Sequence, residues 1–260
     1  MAEPAADRLL DPPEAGRLFR TARPARFGDL SPGGRLRLDA IARYVQDIAS
    51  DDTSDAGLEN DMAWVARRTA VEVRVTPGFR EPLSLSTFCS GYGSRWAERR
   101  VSIMGAQGAS IETVSLWVHL DAESGRPVPL PADFHALYGE AAAGRVVSAR
   151  LQHPAEVPAE AVRRPWALRF TDFDLLGHVN NAATWAMVEE VLVDRRQLRP
   201  PFRAELEYRL PIERGDRVEL ATVDRPDGSL ALWITEPGPV GDDPPRLYAT
   251  ATVQTVGATS

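Results

Sequence analysis

Arg169-Phe170-Thr171-Asp172-Phe173-Asp174-Leu175-Leu176-Gly177-His178-Val179-Asn180-Asn181-Ala182, continuing through Trp185 to Glu189 and Glu190, decides how the rest of the chain is read. Acidic, imidazole and amide side chains crowd a glycine-containing turn immediately ahead of a helical apolar run, where a helix leaves its first N–H groups unpaired. Trp185, Val188 and Leu192 recur at helical spacing, and Ala182, Ala186 and Val193 fill the neighbouring stripe, so a helix over Ala182 to Asp194 is expected to be buried on more than one face. Four residues beyond Glu189 and Glu190 stand Val193 and Asp194, so the usual exposed acid-to-base helix pair is missing. Glu190 is therefore a candidate functional carboxylate, and Glu189 is open between a site residue and a solvated face.

Outward from this stretch, the second half of the chain reads as a strand (Trp166 to Phe170), the turn, the helix, and four strands at Arg203 to Leu210, Arg217 to Val223, Leu230 to Thr235 and Leu247 to Val256. The first half has the same order. Leu18 to Phe27 reads as a strand and Asp29 to Gly34 as a turn. A helix capped by Asp39 carries Ile41, Tyr44, Val45 and Ile48 on one side and stops near Gly57. Four strands follow: Trp64 to Val75, Leu83 to Cys89, Trp96 to Met104 and Ile111 to Leu120. One helix followed by four strands predicts an antiparallel sheet curling around the helix. Residues 1–17 read as a flexible tail, 18–125 as one unit, 126–164 as a proline-rich connector with a short helix over Leu137 to Ala143, and 165–260 as the second unit.

The halves superpose in two blocks, each without gaps. Displaced by 143 positions (169 − 26), Arg26-Phe27-x-Asp29 falls on Arg169-Phe170-x-Asp172 and Gly34 on Gly177. Displaced by 135 (207 − 72), Glu72, Arg74, Leu83, Leu85 and Thr87 fall on Glu207, Arg209, Val218, Leu220 and Thr222. With the matching order of elements this supports an internal duplication. The copies differ where chemistry would sit: Ser31 stands where the second half has Asp174, and Arg35 where it has His178.

Composition narrows the function. The 260 residues carry a net charge of −7, and every positive side chain is arginine. That balance argues against a nucleic-acid partner, and no apolar run approaches the ~20 residues of a membrane helix. Absence of lysine removes Schiff-base and phosphate-loop chemistry. Cys89 is the single cysteine, so no internal disulfide or cysteine-rich zinc site exists, and it reads as a buried, inert thiol. The acidic, proline-bearing start from Met1 to Gly16 lacks the features of a signal peptide, so a cytoplasmic location is expected. His119, His135 and His153 show no metal-ligand spacing, and neither a metal nor a cofactor is expected.

Asp174-Leu175-Leu176-Gly177-His178-Val179-Asn180-Asn181 resembles the signature of hotdog-fold thioesterases. Ala40 to Ala49, Trp64-Val65-Ala66-Arg67-Arg68 and Leu116-Trp117-Val118 are similar to the N-terminal domain of the acyl-ACP thioesterases, which place two hotdogs in one chain. The resemblance spans roughly residues 18 to 256. It implies an α+β tandem hotdog, each half a long buried helix wrapped by an antiparallel sheet. It further implies hydrolysis of the thioester between a fatty acyl group and acyl carrier protein, with the second half catalytic and the first shaping the acyl pocket. The family's catalytic Asp and His fall on Asp174 and His178, and its helix carboxylate on Glu190. Where plant members have Asn between that Asp and His, this chain has Leu176; their Glu-Cys pair falls on Pro211-Ile212. A mechanism needing that Cys or that second Asn cannot operate here.

A thiol is a good leaving group, so the enzyme must chiefly deliver a nucleophile and hold the developing oxyanion. Asp174 can activate water or attack the carbonyl itself, and the sequence leaves both open. The amides of Val179, Asn180 and Asn181 are candidate oxyanion donors, while the two asparagine side chains suit cap and turn positions. An acidic carrier would need a local positive surface, for which Arg195, Arg196 and Arg199, with Arg163, Arg164 and Arg203, are candidates. Substrate on coenzyme A or a polyketide carrier, or a non-catalytic acyl-thioester binder, are the alternative readings. A fused pair of hotdogs fits a monomer that is internally a pseudo-dimer, or a homodimer of it.

Overall fold

The computed structural model describes residues 11–58, 63–238 and 245–257. Residues 1–10 of the expected tail lie outside the described residues. The tail's last residue, Arg17, is tied down by ion pairs to Asp52 and Asp55 at 2.6 Å each.

The chain runs β1 (Phe19–Pro24), α1 (Leu38–Asp55), β2 (Ala63–Val75), β3 (Pro82–Tyr92), β4 (Trp96–Gly105), β5 (Ser110–Leu120) and α2 (Ala132–Tyr138). It continues β6 (Val162–Trp166), α3 (Asn181–Val191), β7 (Phe202–Tyr208), β8 (Val218–Asp224), β9 (Leu230–Thr235) and β10 (Leu247–Thr255). The strands form one sheet in the order β1-β3-β4-β5-β2-β7-β10-β9-β8-β6, and every pairing between them is antiparallel. Read from its two edges inward, the order is the same in both halves. The element order expected from the repeat is thus an order in space as well.

The symmetry is local as well as topological. Single 3-10 turns at Phe27–Asp29 and Phe170–Asp172 are each closed by an Arg–Asp capping box. Ser31 N donates to Arg35 O at 2.8 Å, and Asp174 N to His178 O at 3.0 Å. Gly34 and Gly177 close the two turns at φ +76° and +80°, a region that a side chain disfavours. At the seam, Arg68 lies opposite Glu207 and Glu72 opposite Arg203, so the halves meet about a two-fold through Ala70 and Glu205. Repeat partners Arg74–Glu72 and Arg209–Glu207 form the same intrastrand ion pair at 2.8 and 3.2 Å.

Both long helices lie on one face of the sheet and pack on each other. A single core runs through the two halves, with Ile41, Val45 and Ile48 from α1, Trp185, Val188 and Val191 from α3, and alternate strand residues such as Val71, Val73, Leu206 and Leu220. Trp185 is fully buried and donates its indole N–H to the Tyr208 hydroxyl at 3.0 Å, which meets the requirement of a buried polar edge. The connector crosses the other face. There Arg145 pairs with buried Glu98 at 2.5 Å, and the His153 amide donates to Glu207 at 3.2 Å. No helix among the described residues is long and apolar enough to cross a membrane.

Four boundaries differ from the sequence reading. The sixth strand is Val162–Trp166, not Trp166 to Phe170; as an edge strand with four exposed residues it carries no burial alternation to read. The connector helix is Ala132–Tyr138, anchored by buried Phe134 and Tyr138, and the alanine-rich piece after it forms turns. The helix of the second half spans Asn181–Val191, shorter than expected at its C-terminus. In α1 the cap position is Arg37, and Asp39 is the second residue of the first turn, buried. Burial raises the Asp39 carboxyl, but hydrogen bonds from Arg37 and Arg43 outweigh it and hold it below the ordinary carboxylate range.

Candidate active site

The turn ahead of α3 is built backbone-first. Asn180 N donates to Asp172 O at 2.8 Å, Val179 N to Ile212 O at 2.9 Å, and Gly177 N to Asp174 O at 3.0 Å. These bonds hold Asp174 half-buried at the foot of the helix. Its carboxylate accepts from Leu176 N at 3.0 Å and from Asn180 Nδ2 at 3.3 Å. Asn180 Oδ1 accepts from Ala182 N at 2.8 Å, so this side chain both caps α3 and tethers the acid. Asn180→Ala should lower stability by about 1 kcal/mol through the lost cap and also slow turnover; a thermal melt and an activity assay on the same preparation check both.

Of the three amides expected to stabilise an oxyanion, two are engaged, Val179 with Ile212 and Asn180 with Asp172. Asn181 N–H has no acceptor among the described residues. The His178 ring is half-buried and likewise makes no hydrogen bond among them, while its backbone bridges to Glu213 on the β7–β8 loop.

One space adjoins this turn, and a second lies in the first half. A cleft of about 810 Å³ is walled by Trp166 to Phe170 on one side and Arg214 to Glu219 on the other, with Asp174 and Gly177 among its lining. Arg214 and Arg217 are exposed and make no ion pair among the described residues, and Phe170, Leu175 and Leu176 stand exposed around the turn. A pocket of about 420 Å³ lies in the first half, lined by Gln46, Ala49 and Thr53 of α1, Trp64, Cys89, Ala97 and Trp117 of the sheet, and Phe134 and Tyr138 of α2. Burial pushes the Cys89 thiol up to about 11, which keeps it protonated and inert near neutral pH.

The two helix carboxylates are placed differently. Glu190 is exposed on α3, apart from the turn, and the buried one is Glu189. Glu189 receives the Arg35 guanidinium through both oxygens and also accepts from Leu38 N, at 3.1 Å, at the start of α1. The helical phase held this information: Glu189 follows Trp185 and Val188 in the i, i+4 slot of the apolar stripe. Of the arginines considered for docking, Arg195, Arg196 and Arg199 lie past the C-terminus of α3, at the end remote from Asp174, whereas Arg163 and Arg164 are on β6 and Arg203 is on β7. Arg195 is bidentate on Asp224 at 2.7 and 2.9 Å, Arg199 donates to Val193 O, and Arg196 is exposed. Arg163 pairs with Glu219 and Arg203 with Glu205.

Ile212 is buried and holds the Val179 amide through its carbonyl, whereas Pro211 and Leu176 are exposed. The fold also brings His153, Glu205 and Glu207 within 4.8 Å of one another, a grouping invisible in sequence spacing. Its carboxylates are taken up by Arg203 at 3.3 Å and Arg209 at 3.2 Å.

Residues 16–138 match the family described as acyl-ACP thioesterase N-terminal domain, and residues 155–234 that described as acyl-ACP thioesterase C-terminal domain. The chain belongs to the acyl-ACP thioesterase family. It is a thioester hydrolase, and its reaction is hydrolysis of fatty acyl-acyl carrier protein. An uncharacterised protein of Mycobacterium tuberculosis is 31% identical over 238 residues, covering 90% of this chain and 92% of its own. Among solved structures, the 12:0-ACP thioesterase from Umbellularia californica superposes with a TM-score of 0.73 at 19% identity, covering 91% of this chain and 96% of that one. An acyl-ACP thioesterase from Bacteroides thetaiotaomicron gives 0.72 at 16% identity, with the same coverage of 91% and 96%. At such identities these two establish the fold, a hotdog-like antiparallel sheet with few helices. The thioesterase's chemistry must come from its own residues.

Proposed function

We propose that this thioesterase is a double hotdog whose second half, residues 165–260, carries the reacting groups, and whose first half, residues 18–125, holds the acyl chain. The repeated topology supports this division, as does the replacement of Asp174 and His178 by Ser31 and Arg35 in the first copy. The observation that carries the assignment is the placement of Asp174, a tethered carboxylate at the N-terminus of a buried helix and at the wall of a cleft. Delivered there, a thioester carbonyl meets Asp174 as base for water or as nucleophile, the Asn181 N–H as oxyanion donor, and the His178 ring alongside. Because the leaving thiolate is stable, no strong acid is needed for its departure.

The phosphopantetheine arm enters through the cleft, where Arg214 and Arg217 are available to its phosphate and Phe170, Leu175 and Leu176 to the carrier surface. The enzyme acts in the cytoplasm, a reading supported by its single, reduced cysteine. Measuring thiol release from matched acyl-ACP and acyl-CoA series of increasing chain length tests the reading. Hydrolysis favouring the carrier-linked series is expected; preference for coenzyme A, or tight binding without turnover, would reject it.

The acyl chain occupies the pocket of the first half. Ala97 lines it and is buried, so Ala97→Leu should shorten the longest chain accepted, with turnover of short chains retained. Overpacking carries a stability loss of about 1–3 kcal/mol, so the readout is the chain-length profile at a temperature where the variant is folded.

A further inference from the structure

The pseudo-two-fold makes a prediction about a residue that neither motif contains. Under the repeat, α1 and α3 begin at equivalent positions, Leu38 and Asn181, and Arg35 is the counterpart of His178. Glu189, which reaches across to Arg35 and Leu38 N, is eight residues into its helix from Asn181. Its counterpart eight residues from Leu38 is Gln46. A two-fold that puts Glu189 against Arg35 and Leu38 puts Gln46 against His178 and Asn181.

The two mirrored sites differ in how they are filled. At the first, a carboxylate is satisfied by a guanidinium and a helix amide. At the second, the Gln46 carboxamide, the His178 ring and the Asn181 N–H have no hydrogen-bond partners among the described residues. Gln46 is half-buried and lines the pocket of about 420 Å³. A neutral amide with a free NH₂ beside a free helix N–H offers two converging donors, which is what a developing oxyanion requires.

We infer that Gln46, from the first half, is a catalytic residue of the second: its Nε2–H and the Asn181 N–H together receive the thioester carbonyl oxygen. This rests on the reaction proposed above and adds the other half of the chain to its site. When Asp174 or the water it activates adds to the carbonyl carbon, the π electron pair moves onto that oxygen, between the two donors. When the pair returns, the C–S bond breaks and the thiolate leaves, taking up the proton that Asp174 drew from water; where Asp174 itself has attacked, water then hydrolyses the anhydride to the fatty acid and the free carboxylate.

The test compares wild type, Gln46→Ala and Gln46→Glu on one acyl-ACP substrate, following kcat, KM, the pH profile and the unfolding midpoint. Gln46→Ala is expected to lower kcat roughly 10²-fold, the usual effect of losing an oxyanion donor, with KM and the midpoint near wild type. Gln46→Glu cannot donate while ionised, so its rate should fall with rising pH through the introduced carboxyl's titration and rise again as the pH is lowered to the point where Asp174 itself is protonated, an alkaline limb the wild type lacks. Unchanged kcat in Gln46→Ala, a loss expressed in KM alone, or a loss matched by a lowered midpoint would each overturn the inference. Wild-type protein inactive on every thioester would overturn both the inference and the reaction beneath it, whereas active wild type with an equally active Gln46→Ala overturns the inference alone.

Discussion

Asp174→Asn should reduce thiol release by about 10²- to 10⁴-fold, the range typical for removal of a positioned acid–base group, while the unfolding midpoint stays close to wild type. The structural basis for the second clause is local. Among the described residues the carboxylate accepts only from Leu176 N and Asn180 Nδ2, and an asparagine at this position keeps an oxygen for the Leu176 amide. Continuous thiol detection on acyl-ACP and a thermal melt on the same sample measure both quantities. Near-normal turnover would remove Asp174 from the mechanism. A single turnover in ¹⁸O-labelled water then tests for direct attack: label in the Asp174 carboxylate marks an acyl-aspartyl anhydride that water opens at the aspartyl carbonyl.

Glu189→Ala should behave oppositely, leaving the folded enzyme's turnover largely intact and lowering its stability by roughly 3–5 kcal/mol. Arg35 and Glu189 have side chains only 14% and 10% exposed, so removing the carboxylate strands a guanidinium out of water and leaves the Leu38 amide without its acceptor. For a chain of this size the midpoint should fall on the order of 10 °C. An unchanged midpoint would mean that water reaches Arg35 readily and that this pair does not lock the helices together. Paired with the Gln46 variants, the result shows whether two positions related by the repeat have divided between catalysis and cohesion.

Much of this architecture was legible because it is written twice. The Arg-Phe-x-Asp turns closed by glycine recur 143 positions apart, and Glu72, Arg74, Leu83, Leu85 and Thr87 meet their counterparts 135 positions on, so each is a local signal that one copy could confirm in the other. Strand Val162–Trp166 was misplaced because an edge strand with Arg163, Arg164 and Pro165 presents no buried face to set its phase. The ion pair of Glu189 was out of reach for another reason. An acid on an apolar stripe reads as a defect until the fold supplies Arg35, which lies 154 positions away in sequence. Amide availability was equally hidden: only the backbone hydrogen bonds show that Val179 and Asn180 are spent on closing the turn and that Asn181 N–H has no acceptor among the described residues.

The seam between β2 and β7 joins surfaces belonging to one polypeptide. Two separate chains meeting through such a strand pair would part on dilution, because their association depends on concentration. Here the intervening segment keeps each surface at a high effective concentration beside the other, so the pairing is a first-order event. A reaction that draws groups from both sides of that seam can therefore persist at enzyme levels too low to hold a pair of free subunits together.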